Sequence, residues 1–185
     1  MISKGKLVLL MAAVFLSGCA SMSKKECLAG QWADQGYEDG SKGRLTDLFA
    51  SHTKACAKVG VVPDKEQYLE GYARGLPVYC EPENGYRQGN LNREYLGQCP
   101  VELETEFVRR YLDGLDQKLT KLDIEYERTR STLEIDRITR ASLLDPTAVP
   151  KKLRNSIEYG ESRLTSITSE RSEVRARMSQ WRKIL

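Results

Sequence analysis

Histidine is almost absent: His52 is the only one in 185 residues. Sites that need several imidazoles, for metal or for proton relay, are therefore out of reach. No Cys-x-x-Cys occurs, which argues against a thiol oxidoreductase, and the cysteines are too scattered for a zinc site. A large excess of one charge is also lacking. The 29 Lys and Arg residues face 26 Asp and Glu, for a net charge of +3. Nucleic-acid binders normally show a one-sided basic face, so no nucleic-acid partner is expected. The single basic cluster, Arg171 to Lys183, reads as a solvated helix end. Nucleophile elbows and phosphate loops are missing. The carboxylate pairs Glu38–Asp39 and Glu81–Glu83 imitate a glycosidase dyad only in spacing. His52, in Ser51-His52-Thr53-Lys54, fits a capping, packing or surface role. No catalytic residue, metal ligand or cofactor is assigned.

Long apolar runs are missing except one. Leu7–Leu16 is apolar and uncharged, behind a short segment carrying Lys4 and Lys6. It has about half the roughly twenty residues that a spanning helix needs, which is the length of an export signal. It ends in Leu16-Ser17-Gly18-Cys19, which resembles the bacterial lipobox. The expectation is a signal peptide over 1–18, cut before Cys19, with diacylglycerol and palmitate-type acyl chains on that cysteine. Several chains are needed because each buried CH₂ contributes only ~0.8 kcal/mol. Ala20 and Ser21 stand where an inner-membrane retention signal would show Asp, so the expected location is the periplasmic face of the outer membrane.

Five cysteines minus Cys19 leave Cys27, Cys56, Cys80 and Cys99. An even number in an oxidising compartment reads as two disulfides, and four cysteines allow three pairings. The favoured one is Cys27–Cys56 with Cys80–Cys99. The same region carries most of the glycine and a repeated G-Y-x-x-G, at Gly36–Gly40, Gly71–Gly75 and Gly85–Gly89. Glycines four apart share one helix face. Each costs about 1 kcal/mol relative to alanine inside a helix, so two backbones should approach closely there. The expected partners are a helix over 31–43, with Gly36, Gly40 and Gly43 on one stripe, and a helix over 64–80. The chain should turn near Gly40–Gly43 and return through a helix over 45–58. Gly60 should terminate that helix, and Asp64 should cap the next. Pro82, Asn84-Gly85, Gly97 and Pro100 predict a turn-rich stretch with a short helix or strand. Trp32, Tyr37, Tyr72 and Tyr86 are candidate sugar-stacking residues or, more simply, core.

Residues 101–185 follow a different grammar. Leu112, Leu115, Leu119, Leu122, Tyr126, Thr129 and Leu133 keep 3-4 spacing. So do Leu153, Ile157, Gly160, Leu164, Ile167, Arg171, Val174, Met178, Trp181 and Leu185. The proline-containing break at 145–150 separates them. Two such helices read as an antiparallel coiled-coil hairpin with arms of roughly 50–65 Å. The fold class is thus mainly α, with a tether at 19–26, a disulfide-stapled Gly/Tyr-rich helical domain at 27–100 and the hairpin at 101–185.

The order Trp32-x₃-Gly36-Tyr37-x-Asp39-Gly40, His52-x₃-Cys56, Gly60-x₂-Pro63-Asp64, Tyr68-x₂-Gly71-Tyr72-x₂-Gly75-Leu76-x₂-Tyr79-Cys80, Asn84-Gly85-Tyr86-x₂-Gly89 and Tyr95-x-Gly97-x-Cys99-Pro100 resembles a known family. It is the uncharacterised proteobacterial lipoprotein domain of unknown function 2799. The resemblance covers about residues 27–100 and implies export, an anchor and paired cysteines, but no activity. The expected function is a lipid-anchored interaction module, pairing with itself or another protein through residues 101–185. The alternatives are peptidoglycan or glycan binding through the Gly-Tyr repeats and, behind it, a wall hydrolase.

Overall fold

The computed structural model of the protein describes residues 21–145 and 147–185. Cys19 and the leader expected before it lie outside the described residues. Seven helices and no strand occur among those described. The described residues are packed from their first few positions. Met22 is buried, and Ser23 caps α1 (Lys24–Ala29) in a reciprocal capping box with Glu26. A tether over 19–26 therefore does not describe residues 21–26. Ser23 and Glu26 satisfy the free N–H groups of a helix start, and Met22 fills the core beside Cys56.

The glycine stripes then do what their spacing requires. α2 (Trp32–Ser41) lies against α4 (Lys65–Tyr79) with their backbones touching. A Cβ on Gly36 would fall 1.9 Å from the Tyr68 carbonyl oxygen, and one on Gly71 would fall 1.8 Å from that of Ala33. Gly40 faces Tyr72, and Gly75 faces Tyr37. The two numberings rise together, so the helices are parallel. A parallel pair needs a returning connection. α3 (Leu48–Ala57) supplies it, closed by Gly60 at φ 73°. Asp64 accepts hydrogen bonds from the N–H groups of Glu66 and Gln67 and so caps α4. Gly43 does not extend the stripe. It adopts φ 66° one residue past the helix cap, and its neighbour there is the Tyr79 ring.

Residues 82–100 are more regular than their turn residues suggest. Pro82 opens α5 (Pro82–Asn90), which packs in parallel on the first turns of α6 (Val101–Ala141). Gly85 faces Phe107, Gly89 faces Tyr111, and Gly114 faces Tyr86. This second pair repeats the first at three of its four glycine contacts, with Arg110 standing where the first pair has Gly71. A helix starting at Val101 thus belongs to the Gly/Tyr region for its first turns and to the hairpin after that.

α7 (Lys151–Trp181) folds back along α6. Lys118 meets Glu170, Glu125 meets Arg163, and Arg137 meets Glu161, so the two helices are antiparallel. Leu112, Leu115, Leu122 and Leu133 on α6 and Ile157, Ile167, Val174, Met178 and Trp181 on α7 are buried. Leu185 is 56% exposed because the helix ends at Trp181. Rises of 1.5 Å per residue make the arms about 60 and 46 Å long. One core runs from Met22 to Trp181, whose ring centroid lies 4.5 Å from that of Tyr95 at a tilt of 46°. The hairpin is rooted in the stapled region and is not a separate body.

Candidate functional site

Four places hold the chemistry. The first is a buried polar network joining Ser21 to α2, α3 and α4. His52 Nε2 lies 2.8 Å from Asp39 Oδ2, and Nδ1 lies 3.0 Å from Ser21 Oγ. The Tyr68 hydroxyl donates to the same Asp39 oxygen at 3.0 Å. Burial first, and then the Asp39 charge, push the Tyr68 hydroxyl far above its ordinary range. Ser, His and Asp meet here without forming a hydrolase triad. The acid sits on Nε2 and the serine on Nδ1, opposite to the working arrangement. The ring is only 2% exposed, so a scissile bond has no approach to it. Glu38 turns outward to pair with Lys42 while Asp39 turns inward, so those two carboxylates share no site.

The second is the pair of disulfides. Cys27 joins Cys56 and Cys80 joins Cys99, with Cα atoms 5.3 and 5.7 Å apart. This is the favoured pairing. Each bridge ties the segment entering a parallel helix pair to the connection that returns to its start. In the chain-entropy account each contributes roughly 3 kcal/mol.

The aromatics divide by burial. Trp32 and Tyr72 lie in the core, and the Tyr72 hydroxyl donates to the Arg44 carbonyl at 2.5 Å. Tyr37 is 44% exposed. Tyr86 is half-buried with the Arg110 guanidinium 4.9 Å above its ring. The four do not form one stacking surface. A second aromatic cluster, Tyr95, Phe107, Tyr111 and Trp181, roots the hairpin. Burial raises the Tyr111 hydroxyl to about 12.

The fourth is a cleft of about 780 Å³ between the two parallel pairs. Arg44, Arg87, Arg93, Glu81, Glu94 and Gln98 are among its lining residues. Sequence reading passed over it, although the signal was present: G-Y-x-x-G-x-x-x-R occurs at Gly36–Arg44 and again at Gly85–Arg93. Only the first five positions of that motif drew notice. Gly114, the partner of the third repeat, was hidden because Arg110-Tyr111-x-x-Gly114 lacks the leading glycine.

Along the hairpin, Arg163 grips Glu125 through Nε and Nη2 at 2.7 and 2.9 Å and also reaches Glu170. The hydrogen bond from Arg163 holds Glu125 below the usual carboxylate range. Burial opposes the same effect at Glu170, but hydrogen bonds from Arg163 and Lys118 outweigh it. Arg171, the charged interruption of the seam, swings out to Asp123 at 2.7 Å and lies 4.7 Å over the Tyr126 ring. Its Nε and the Asp123 oxygen are not aligned for a hydrogen bond, so that contact is a charge pair.

These features define a disulfide-clamped domain of two glycine-packed helix pairs. Residues 31–116 match the family described as "Protein of unknown function (DUF2799)". The match runs past residue 100 into α6, as the packing of Gly114 on α5 requires. No curated protein and no solved structure matches the chain.

Proposed function

We propose that the protein is a lipoprotein, anchored through Cys19 on the periplasmic face of the outer membrane, whose hairpin is an interaction module. The observation that carries the interaction reading is the far end of the hairpin. Leu133 and Ile157 are buried there, yet Ile135, Ile138, Leu144 and Tyr159 are 64, 61, 106 and 69% exposed. Large side chains grouped at a helical tip usually mark a contact surface. The paired disulfides suit an oxidising compartment. None of the described helices is long and apolar enough to cross a membrane, so attachment falls to the lipid. The partner is another protein chain, either a second copy or a different one.

Photo-crosslinking residues placed at Ile138 and Leu144 in cells should give one defined product, whereas placement at exposed Arg175 should give none. A strictly monomeric protein with no product from either tip position removes this reading. The anchor has its own test. Blocking lipoprotein signal peptidase should accumulate an uncut precursor, and normal maturation under that block rules the anchor out. Glycan binding through Trp32, Tyr37, Tyr72 and Tyr86 draws less support, since two of them are core residues.

A further inference from the structure

The cleft between the two helix pairs is built twice from one plan. Each of α2 and α5 ends in a left-handed residue, Gly43 at φ 66° and Asn92 at φ 53°. Asn92 is the one non-glycine with positive φ among the described residues. The next residue is arginine in both, and its N–H reaches back to the helix, Arg44 to the Asp39 carbonyl and Arg93 to that of Gln88, both at 2.9 Å. This is the Schellman closure. The arginine's own carbonyl then accepts a tyrosine hydroxyl from the paired helix. Tyr72 reaches Arg44 at 2.5 Å, and Tyr111 reaches Arg93 at 2.7 Å. Two guanidinium groups are thus hung from equivalent, doubly fixed backbones, and both line the same cleft.

A third is oriented from below. Asn84, 7% exposed, holds the Tyr79 carbonyl with its amide and accepts from Arg87 Nε and Nη2 at 3.2 and 2.6 Å. The wall between the pairs is fixed by Gln98, which donates to the Gly43 carbonyl at 2.8 Å beside the Cys80–Cys99 bridge. Among the described residues, none of the three guanidinium groups is within salt-bridge distance of a carboxylate. The cleft nevertheless contains carboxylates, Glu81, Glu83 and Glu94, at its exposed edge, and of these Glu83 also lies 3.4 Å from Arg110.

We infer that this cleft binds a zwitterionic peptide. Guanidinium forks match carboxylates in a bidentate way. Arg44, Arg87 and Arg93 take the free carboxylates of such a ligand, and Glu81 and Glu94 take its ammonium group. The same two glutamates disfavour a simple polyanion, which would bring like charges together. The preset arginines lower the ordering cost of binding.

The site follows from the cleft alone. Only the choice of probe rests on the envelope location proposed above, and the precursor test of the anchor is independent of it. The full-length protein in detergent is titrated with the free stem tetrapeptide of peptidoglycan and, separately, with S-methylglutathione, which has no free thiol to exchange with the bridges. Each carries at least two free carboxylates and an ammonium group. Binding by calorimetry to at least one is expected. It should weaken about tenfold or more in Arg44→Gln and in Arg93→Gln, as loss of a charged hydrogen bond implies. Arg130→Gln, on the hairpin and paired there with Glu127, should bind as the parent does. N-acetylation of the bound peptide should weaken binding through the lost ammonium. Both arginines are exposed, so helical content and melting temperature should match the parent and show that folding is intact. No binding to either peptide overturns the proposal, as does binding unchanged in both arginine variants. Full displacement by inorganic phosphate at constant ionic strength also overturns it, because the site would then be a plain anion site.

Discussion

Glycines in this chain differ in what a single methyl group would meet. At Gly71 a Cβ would sit 1.8 Å from a backbone oxygen, which cannot move without parting α2 from α4. Gly71→Ala should cost roughly 3 kcal/mol or more, at the upper end for overpacking. At Gly160 the nearest atoms are the Leu133 side chain at 3.4 Å, an ordinary contact. Gly160→Ala should be neutral or stabilise by up to about 1 kcal/mol through helix propensity. Thermal melts of the two variants should move in different directions, and equal destabilisation would contradict the packing described. Asp39 offers a second residue test. Asp39→Ala leaves His52 and the Tyr68 hydroxyl without their shared acceptor, at a cost of about 2–4 kcal/mol for buried polar groups. Chemical denaturation should show this as a lower midpoint with an unchanged slope.

Elements were legible where a period or a cap announced them. The stripe Tyr68, Tyr72, Leu76 and Tyr79 and the Asp64 cap place α4 directly, and 3-4 spacing places both hairpin arms. What stayed hidden was relation. Spacing puts Gly36 and Gly71 on helix faces but does not say that the helices run parallel, because one glycine stripe fits either direction. Asn84-Gly85 reads as a turn, yet it lies inside α5 because Gly85 must admit the Phe107 carbonyl, 2.5 Å from where its Cβ would stand. The repeated G-Y-x-x-G-x-x-x-R marks Arg44 and Arg93 as equivalent positions, but they lie 49 positions apart and only the folded geometry brings them to one cleft. The bridges act at this scale too. Parallel helices place like dipole ends together, and each disulfide clamps the N-terminal end of a pair. The double variant Cys80→Ser with Cys99→Ser should lose roughly 3 kcal/mol. Hydrogen exchange should rise first in α5 and residues 91–100, and uniform loosening of the whole chain would contradict a local clamp.

At the scale of the molecule, one core is lined by tyrosines whose hydroxyls are all pushed upward by burial: Tyr68, Tyr72, Tyr79, Tyr95 and Tyr111. The sign follows directly. A folded value raised above the ordinary ~10 of the unfolded chain means that the folded state keeps protons the unfolded state releases. Stability is therefore complete below about pH 10 and is lost as pH climbs towards the folded value, about 12 for Tyr111. The tyrosinate absorbance contributed by these five buried rings should rise together with the loss of helical circular dichroism in one alkaline step. Ionisation of all nine tyrosines before any helix loss would contradict a shared aromatic core.

The two bridges also set how the protein would carry load. A pull applied between Ser21 and the hairpin tip near Leu144 travels through covalent bonds, and it crosses at Cys27–Cys56 and again at Cys80–Cys99. Residues 28–55 and 81–98 are therefore bypassed, and with them α2, α3, α5 and all three arginines of the cleft. A molecule held by its start and gripped at its tip would stretch only along the remaining backbone. Its binding loops would bear no tension until a reductant cut the shortcuts.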